Sequence, residues 1–272
     1  MISINHRLFG RWLPTYFFAE DPEQIPFGLC FWVSRCYFDP ALMQKSGYTV
    51  LLSRWWRTLF TDLTLPLETI YQSFDKKSTR YPLNVAQRLL SVGRWQVVPP
   101  MKHQDDDDRL IVDFYRRKHL GENDTVEKLK ASPTRPYWLT SRALYEGRVV
   151  LVRTNICDPR AGITRSLYAV SAELPSEIKQ EAGHISRWLC WQEIQYFKEK
   201  GYRIYDWGGI SKHGELKGID DFKRSFGGKE GIIYDALICQ RYIAPVLRVI
   251  WKIRYGKYPE VEPYEGEANK IC

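Results

Sequence analysis

Histidine, methionine and paired cysteine are scarce in this chain. Five histidines are scattered without metal-ligand spacing, and the six cysteines (Cys30, Cys36, Cys157, Cys190, Cys239 and Cys272) form no CxxC pair. Zinc-ribbon, thioredoxin-type and disulfide-framework readings therefore lack their ligands, and the cysteines read as reduced thiols of a cytoplasmic protein. There is no GxSxG and no Cys/His pairing, so nothing points to a covalent nucleophile. No apolar run is long enough to span a bilayer, and the apolar part of MISINHRLFGRWLP is too short for a secretory signal. Internal repeats and low-complexity tracts are also missing, which excludes solenoids and long linkers.

The chain does have aromatics and positive charge. Its 272 residues include 10 Trp, 17 Tyr and 12 Phe, and its formal net charge is +8. That length supports one large domain or two small ones. The basic balance suits a polyanionic partner such as tRNA, a nucleotide-sugar or an anionic membrane face, or simply marks a basic soluble protein.

Three stretches are expected along the chain: an aromatic-rich part over 1–70, a core over 71–240 and a basic amphipathic tail over 241–272. In the first, Leu29–Val33 and Tyr48–Leu52 read as strands. Ser53-Arg-Trp-Trp-Arg57 reads either as an interface patch or as core tryptophans. Pro66 begins a helix with Thr64 as a candidate cap. Gly93–Val98 reads as a strand stopped by Pro99-Pro100. The four aspartates of Gln104–Asp108 cannot all face one ion, so they read as the solvated, acidic start of a helix, and no metal site is expected. Tyr137–Leu144 and Arg148–Thr154 are strands joined at Glu146-Gly147, and Thr164–Val170 is a third. A helix over 177–200 and a strand over 202–205 follow. Residues 242–255 form a basic, aromatic helix that either docks on the domain or lies on a membrane surface.

The densest signal is GYRIYDWGGISKHGELKGIDDFKRSFGGKEGI, from Gly201 to Ile232. Asp206 sits at a strand's carboxyl end beside Gly208-Gly209, where glycines let a ligand approach the backbone. Further on, Phe222-Lys223-Arg224 and Phe226 precede a second diglycine. This pattern resembles the carboxy-terminal signature of the Fem family, and Arg187–Ile194 stands where that family has a helix with an aromatic behind the site. The resemblance covers about residues 70–240. It implies an α/β fold of GNAT type, a mixed, largely antiparallel sheet flanked by helices, and an acyl- or aminoacyltransferase activity.

The resemblance also assigns residues. Phe74-Asp-Lys-Lys-Ser-Thr-Arg80 is similar to the run that opens a basic helix beside the substrate, which implies phosphate or sugar contacts from Lys76, Lys77 and Arg80. Here Pro82 departs from the pattern and pushes the helix start to about Tyr81. The matching Phe-Lys places Phe222 and Lys223 at the acceptor site, with Lys223 on phosphate or oxyanion charge and Arg224 beside it or in solvent. From its place at a strand end, Asp206 is the candidate for binding or deprotonating the acceptor amine, or a carboxylate that only orders its loop. Arg165 and Tyr168 are cleft-lining candidates, although alternation lets only one set of strand residues point in.

The acceptor is expected to be an amine of a cell-envelope precursor, a peptidoglycan peptide or an amino sugar. No tightly bound cofactor is expected, and the donor is aminoacyl-tRNA, acyl-CoA or an acyl-carrier protein. The Arg/Gln-x-x-Gly-x-Gly/Ala loop of acetyl-CoA enzymes is not found, which points away from ordinary acyl-CoA use. The competing readings are an acyl-CoA- or carrier-dependent enzyme acting on a nucleotide-activated amino sugar, and a non-catalytic nucleic-acid or membrane-binding module. The expected place is the cytoplasm, at the membrane surface if 242–255 makes a peripheral contact.

Overall fold

The computed structural model describes residues 1–8, 11–120, 125–211 and 214–264. Cys272 and the end of the basic tail lie outside them. The first strands are β1 (Ile2–Leu8), β2 (Arg11–Phe17), β3 (Cys30–Cys36) and the long β4 (Tyr48–Asp62). Helix α1 (Leu67–Gln72) is entered through Pro66. Thr64 is not its cap: the Thr64 hydroxyl donates to Asp62, 2.6 Å away, so it closes the preceding turn instead. A π-helical turn over Lys76–Arg80 then leads into α2 (Tyr81–Ser91), with Pro82 in its first turn as expected.

Strand β5 (Trp95–Lys102) runs through Pro99-Pro100 rather than stopping there. It pairs with β6 (Trp138–Tyr145), and the register shifts between Val98 and Met101. An irregular ladder at a sheet edge tolerates residues that lack an N–H. Helix α3 (Asp105–Arg117) starts at the aspartates, capped reciprocally by Gln104 and Asp107. The solvated reading fails for two of the four aspartates, because Asp107 and Asp108 are buried. The Arg142 Nε donates to Asp107 at 2.7 Å, and both Asp108 oxygens take Arg135 Nη1. His103 bridges Thr140 at 2.7 Å and Asp108 at 2.8 Å. Thr140, His103 and Asp108 line up like a hydrolytic triad, but all three are buried and Arg135 holds the carboxylate. They brace α3 against the sheet.

After the short α4 (Val126–Lys130), β6 turns into β7 (Arg148–Asp158) at Glu146 and Gly147, both with positive φ. That pair is the hairpin chemistry read in the sequence. The chain continues through β8 (Ile163–Ser171), α5 (Ser176–Glu199), β9 (Ile204–Ile210), α6 (Lys217–Arg224), β10 (Lys229–Gln240) and α7 (Ala244–Tyr255). Tyr202 precedes β9 rather than opening it.

These elements form two compact units. The first holds Met1–Thr58, Gly209–Glu215 and the chain from Glu230. In it β2 is antiparallel to β1 and parallel to β3, β10 is antiparallel to β3, and β4 follows β10. One face buries Phe31, Val33, Tyr48, Val50 and Ile238, and the other buries Leu51, Leu237 and Cys239 under α7. Trp55 and Trp56 are half-buried rather than core: the Trp55 indole donates to the Pro263 carbonyl, and Arg35 stacks on Trp56 at 4.6 Å.

The second unit holds Leu59–Gly208 and Leu216–Lys229. Its strands run in the order β9-β8-β7-β6-β5, antiparallel except for β8 with β9. Helices α2 and α5 cover one face, with Ile185 and Leu189 of α5 clustered with Trp95, Ala143 and Leu151 of the sheet. Helix α3 packs against β7 and β8. This is the expected mixed, largely antiparallel sheet flanked by helices.

Candidate functional site

Parallel strands need a helical crossover, and α5 supplies it between β8 and β9. Their pairing covers Ile163↔Ile204, Thr164↔Tyr205 and Arg165↔Asp206, and β8 then runs on to Ser171 without β9 as its partner. The last pair carries the charge. Arg165 Nη1 donates to Asp206 Oδ2, and the Gly208 N–H donates to Asp206 Oδ1 at 2.8 Å. Asp206 is fully buried and Arg165 nearly so. Each Asp206 oxygen therefore has a partner, as a buried carboxylate requires.

Lys223 comes to the same place from α6. A Cβ on Gly208 would lie 3.8 Å from Lys223 Nζ, 4.0 Å from Arg165 Nη2 and 3.2 Å from the Ser166 carbonyl. Gly208 also has φ +81, so the close approach and the backbone both call for glycine. Burial pulls the Lys223 ammonium down to about 8, helped by the Arg165 charge and opposed by Asp206 and Asp220. The lysine, the Arg165–Asp206 pair and Gly208 are thus one cluster.

Other predicted residues are arranged around it. A register shift between Thr154 and Asn155 leaves one extra residue, Leu167, on β8. Arg165 pairs with Ile156 and Tyr168 with Thr154, so a spacing of three still puts both on one face. Tyr168 packs there against Trp138 (5.7 Å) and Tyr115 (6.0 Å). Phe222 lies under the Arg187 guanidinium at 5.1 Å and beside Phe226 at 5.3 Å, while Arg224 is exposed.

Lys76 is exposed, and Arg80 is half-buried with Nη1 on Gln72 at 2.8 Å. Their turn is stitched to the end of α6: the Asp75 N–H and the Thr79 hydroxyl donate to the Ser225 carbonyl at 2.8 and 2.9 Å. Gly209 falls in the first unit, where its Cβ would stand 3.8 Å from the Arg57 carbonyl. The second diglycine serves packing. A Cβ on Gly228 would come within 2.4 Å of the Phe60 carbonyl, and one on Gly227 within 2.6 Å of Ser73 Oγ.

Sequence reading missed two features. Arg187 ties α5 to the basic turn, donating from Nε to the Ser78 carbonyl at 2.6 Å, and burial lowers its pKa. Its only signal was a lone cation in an apolar helix run. A buried polar cluster joins Glu193 of α5 to Ser141, Arg153 and Tyr205. Beside it Asn155, opposite Ser166, is buried with no hydrogen-bond partner for either amide atom among the described residues. Neither was recognisable without knowing which strand neighbours which. No group of three His, Cys, Asp or Glu able to hold a metal occurs among the described residues.

No family model matches the chain, and no curated protein matches it in sequence. Solved structures do. The chain is similar to FemX at 12% identity and a TM-score of 0.55, over 80% of this chain and 74% of that one. It is also similar to the C-terminal (DUF2156) domain of an Agrobacterium fabrum protein assigned as a lysylphosphatidylglycerol synthetase. That match has 14% identity and a TM-score of 0.50, over 92% and 85% of the two chains. At such identities the likeness is one of architecture, and the architecture is GNAT-like.

Proposed function

We propose that the protein is an N-acyltransferase that moves an aminoacyl or acyl group onto an amine of a cell-envelope precursor. The observation that carries this reading is the half-buried Lys223 amine beside Gly208 and the Arg165–Asp206 pair, where β8 loses its parallel partner. In the reaction the acceptor nitrogen attacks an activated carbonyl, a C–N bond forms, and the C–O or C–S bond of the donor breaks. The nitrogen loses a proton and the leaving group gains one. Lys223, charged below about pH 8, suits the oxyanion that develops in between. Asp206 is assigned to positioning, because Arg165 and the Gly208 N–H already engage its oxygens. The exposed Lys76 and half-buried Arg80, on the turn joined to Ser225, suit a phosphate or sugar of the acceptor.

The donor reading also has support. The link from β8 to α5, Ala172-Glu173-Leu174-Pro175, contains no glycine, and Glu177 follows in the helix's first turn. Two carboxylates there oppose a diphosphate at the helix N-terminus. That favours aminoacyl-tRNA or a carrier-bound acyl group over acyl-CoA, and an FemX-like or lysylphosphatidylglycerol-synthetase-like role over that of a CoA enzyme.

The test is an assay by mass spectrometry with charged tRNA, acyl-carrier protein and acyl-CoA as donors. The acceptors are a peptidoglycan precursor peptide and a nucleotide-activated amino sugar. Transfer is expected with the first or second donor, with Lys223→Met lowering the rate by about a hundredfold or more. Undiminished turnover in Lys223→Met would remove the site. Binding of tRNA without transfer from any donor would leave the non-catalytic module.

A further inference from the structure

Helix α7 lies in the first unit and is only half used by the fold. Ile243, Leu247 and Trp251 pack against Leu51, Leu237 and Cys239 and anchor it to the sheet. Val246, Val249, Ile250 and Ile253 follow an i, i+3, i+4, i+7 spacing and form a second apolar face. Its exposures are 61, 52, 39 and 80%. Tyr242 at 70% adds to its start, and Leu29 at 63% lies beside that start, since the Leu29 carbonyl accepts the Gln240 N–H. Scattered exposed apolar residues are ordinary, but a continuous stripe on a well-docked helix is not.

Charge identifies the occupant. From Arg241 to Tyr258 there are five cations (Arg241, Arg248, Lys252, Arg254 and Lys257) and no acid. At helical spacing Arg254 flanks the stripe on one side and Lys252 on the other, where long side chains can rise to headgroup level. Lys252 already lies over the Tyr258 ring at 4.6 Å, a pairing common where an apolar layer meets water. No helix among the described residues is long and apolar enough to cross a membrane, so such a helix would lie in the interface plane.

We infer that α7 docks the protein on an anionic lipid surface, with Val246, Val249, Ile250 and Ile253 among the acyl-chain ends and the flanking cations on the headgroups. This goes beyond acyl transfer, and its test reads no catalysis, so either proposal can fail alone. The full chain is sedimented with vesicles of phosphatidylcholine, and with a roughly 2:1 mixture of phosphatidylcholine and phosphatidylglycerol. Binding to the mixed vesicles is expected, with little to phosphatidylcholine alone. Val249→Ser with Ile253→Ser should weaken it by about tenfold or more, and so should Lys252→Gln with Arg254→Gln. All four residues are exposed, so thermal melts should match the wild type. The serine pair separates the stripe from attraction by basic residues elsewhere. Failure to bind mixed vesicles, or full binding by the serine pair, would overturn the inference. So would a concentration-dependent dimer that Ile253→Ser dissolves while vesicles are ignored, since a second copy would then own the stripe.

Discussion

Lys223 gives up its proton more easily when folded than when unfolded. Its folded value is about 8 against an ordinary 10.5, so the unfolded chain holds more protons between those limits and stability rises with pH there. Below pH 8 the lysine costs stability in full. Lys223→Met is therefore expected to raise Tm at pH 7 by about 2–4 °C, as roughly 1 kcal/mol would in a chain of this size, while slowing transfer as above. The gain should fade between pH 8 and 10.5, as differential scanning calorimetry would show. Transfer itself should decline above about pH 8 if the charged form serves the oxyanion, whereas a rise through pH 8 would make Lys223 a base. His103 obeys the same rule from the acid side. Burial lowers its pKa although Asp108 and Asp107 pull it up, so its contribution is present above about 6.5 and is lost as pH falls through the folded value. His103→Gln should flatten the fall in Tm below that point. Gly228→Ala, meeting the Phe60 carbonyl at 2.4 Å with φ +99, should cost more than about 2 kcal/mol in urea titrations.

At the scale of elements, the charged brace under α3 is the part most exposed to single changes. Asp107→Ala would leave Arg142 buried and unpaired, a loss of about 3–5 kcal/mol that chemical denaturation can measure. Local chemistry was readable here: Glu146-Gly147 marked a hairpin, Lys198–Gly201 ended a helix, and alternation marked β6 through β8. Most of what eluded the sequence depends on neighbours far along the chain. Asp107 and Asp108 look like any acidic helix start until Arg142 and Arg135 arrive from 35 and 27 residues away. Alternation alone separates Arg165 from Tyr168, and only the pairing with β7 reveals Leu167 as the extra residue that reunites them. Pro99-Pro100 ends a strand in an interior position but survives in a ladder whose register breaks. Of the candidate site, Gly208, Asp206 and Lys223 were legible because they lie within one short stretch. Arg187 and Asn155 act through strand and helix order, which letters do not carry.

Over the whole molecule, the thiols make a simple check on packing. Burial pushes Cys30, Cys157 and Cys190 to about 12 and Cys239 to about 11, and raises Cys36 as well. In a Cys272→Ser background, native protein should resist a thiol-specific reagent at pH 8 and titrate five groups once denatured. Rapid native labelling would contradict this packing. The interleaving of the two units has a further effect on biosynthesis. β3 takes hydrogen bonds from β10, which is made nearly two hundred residues later. While the ribosome is still working through the second unit, Phe31 and Val33 therefore stand in a ladder with one side open. This interval of vulnerability, rather than the finished fold, is when a nascent chain would need a chaperone, and a truncation before Lys229 would make the exposure permanent.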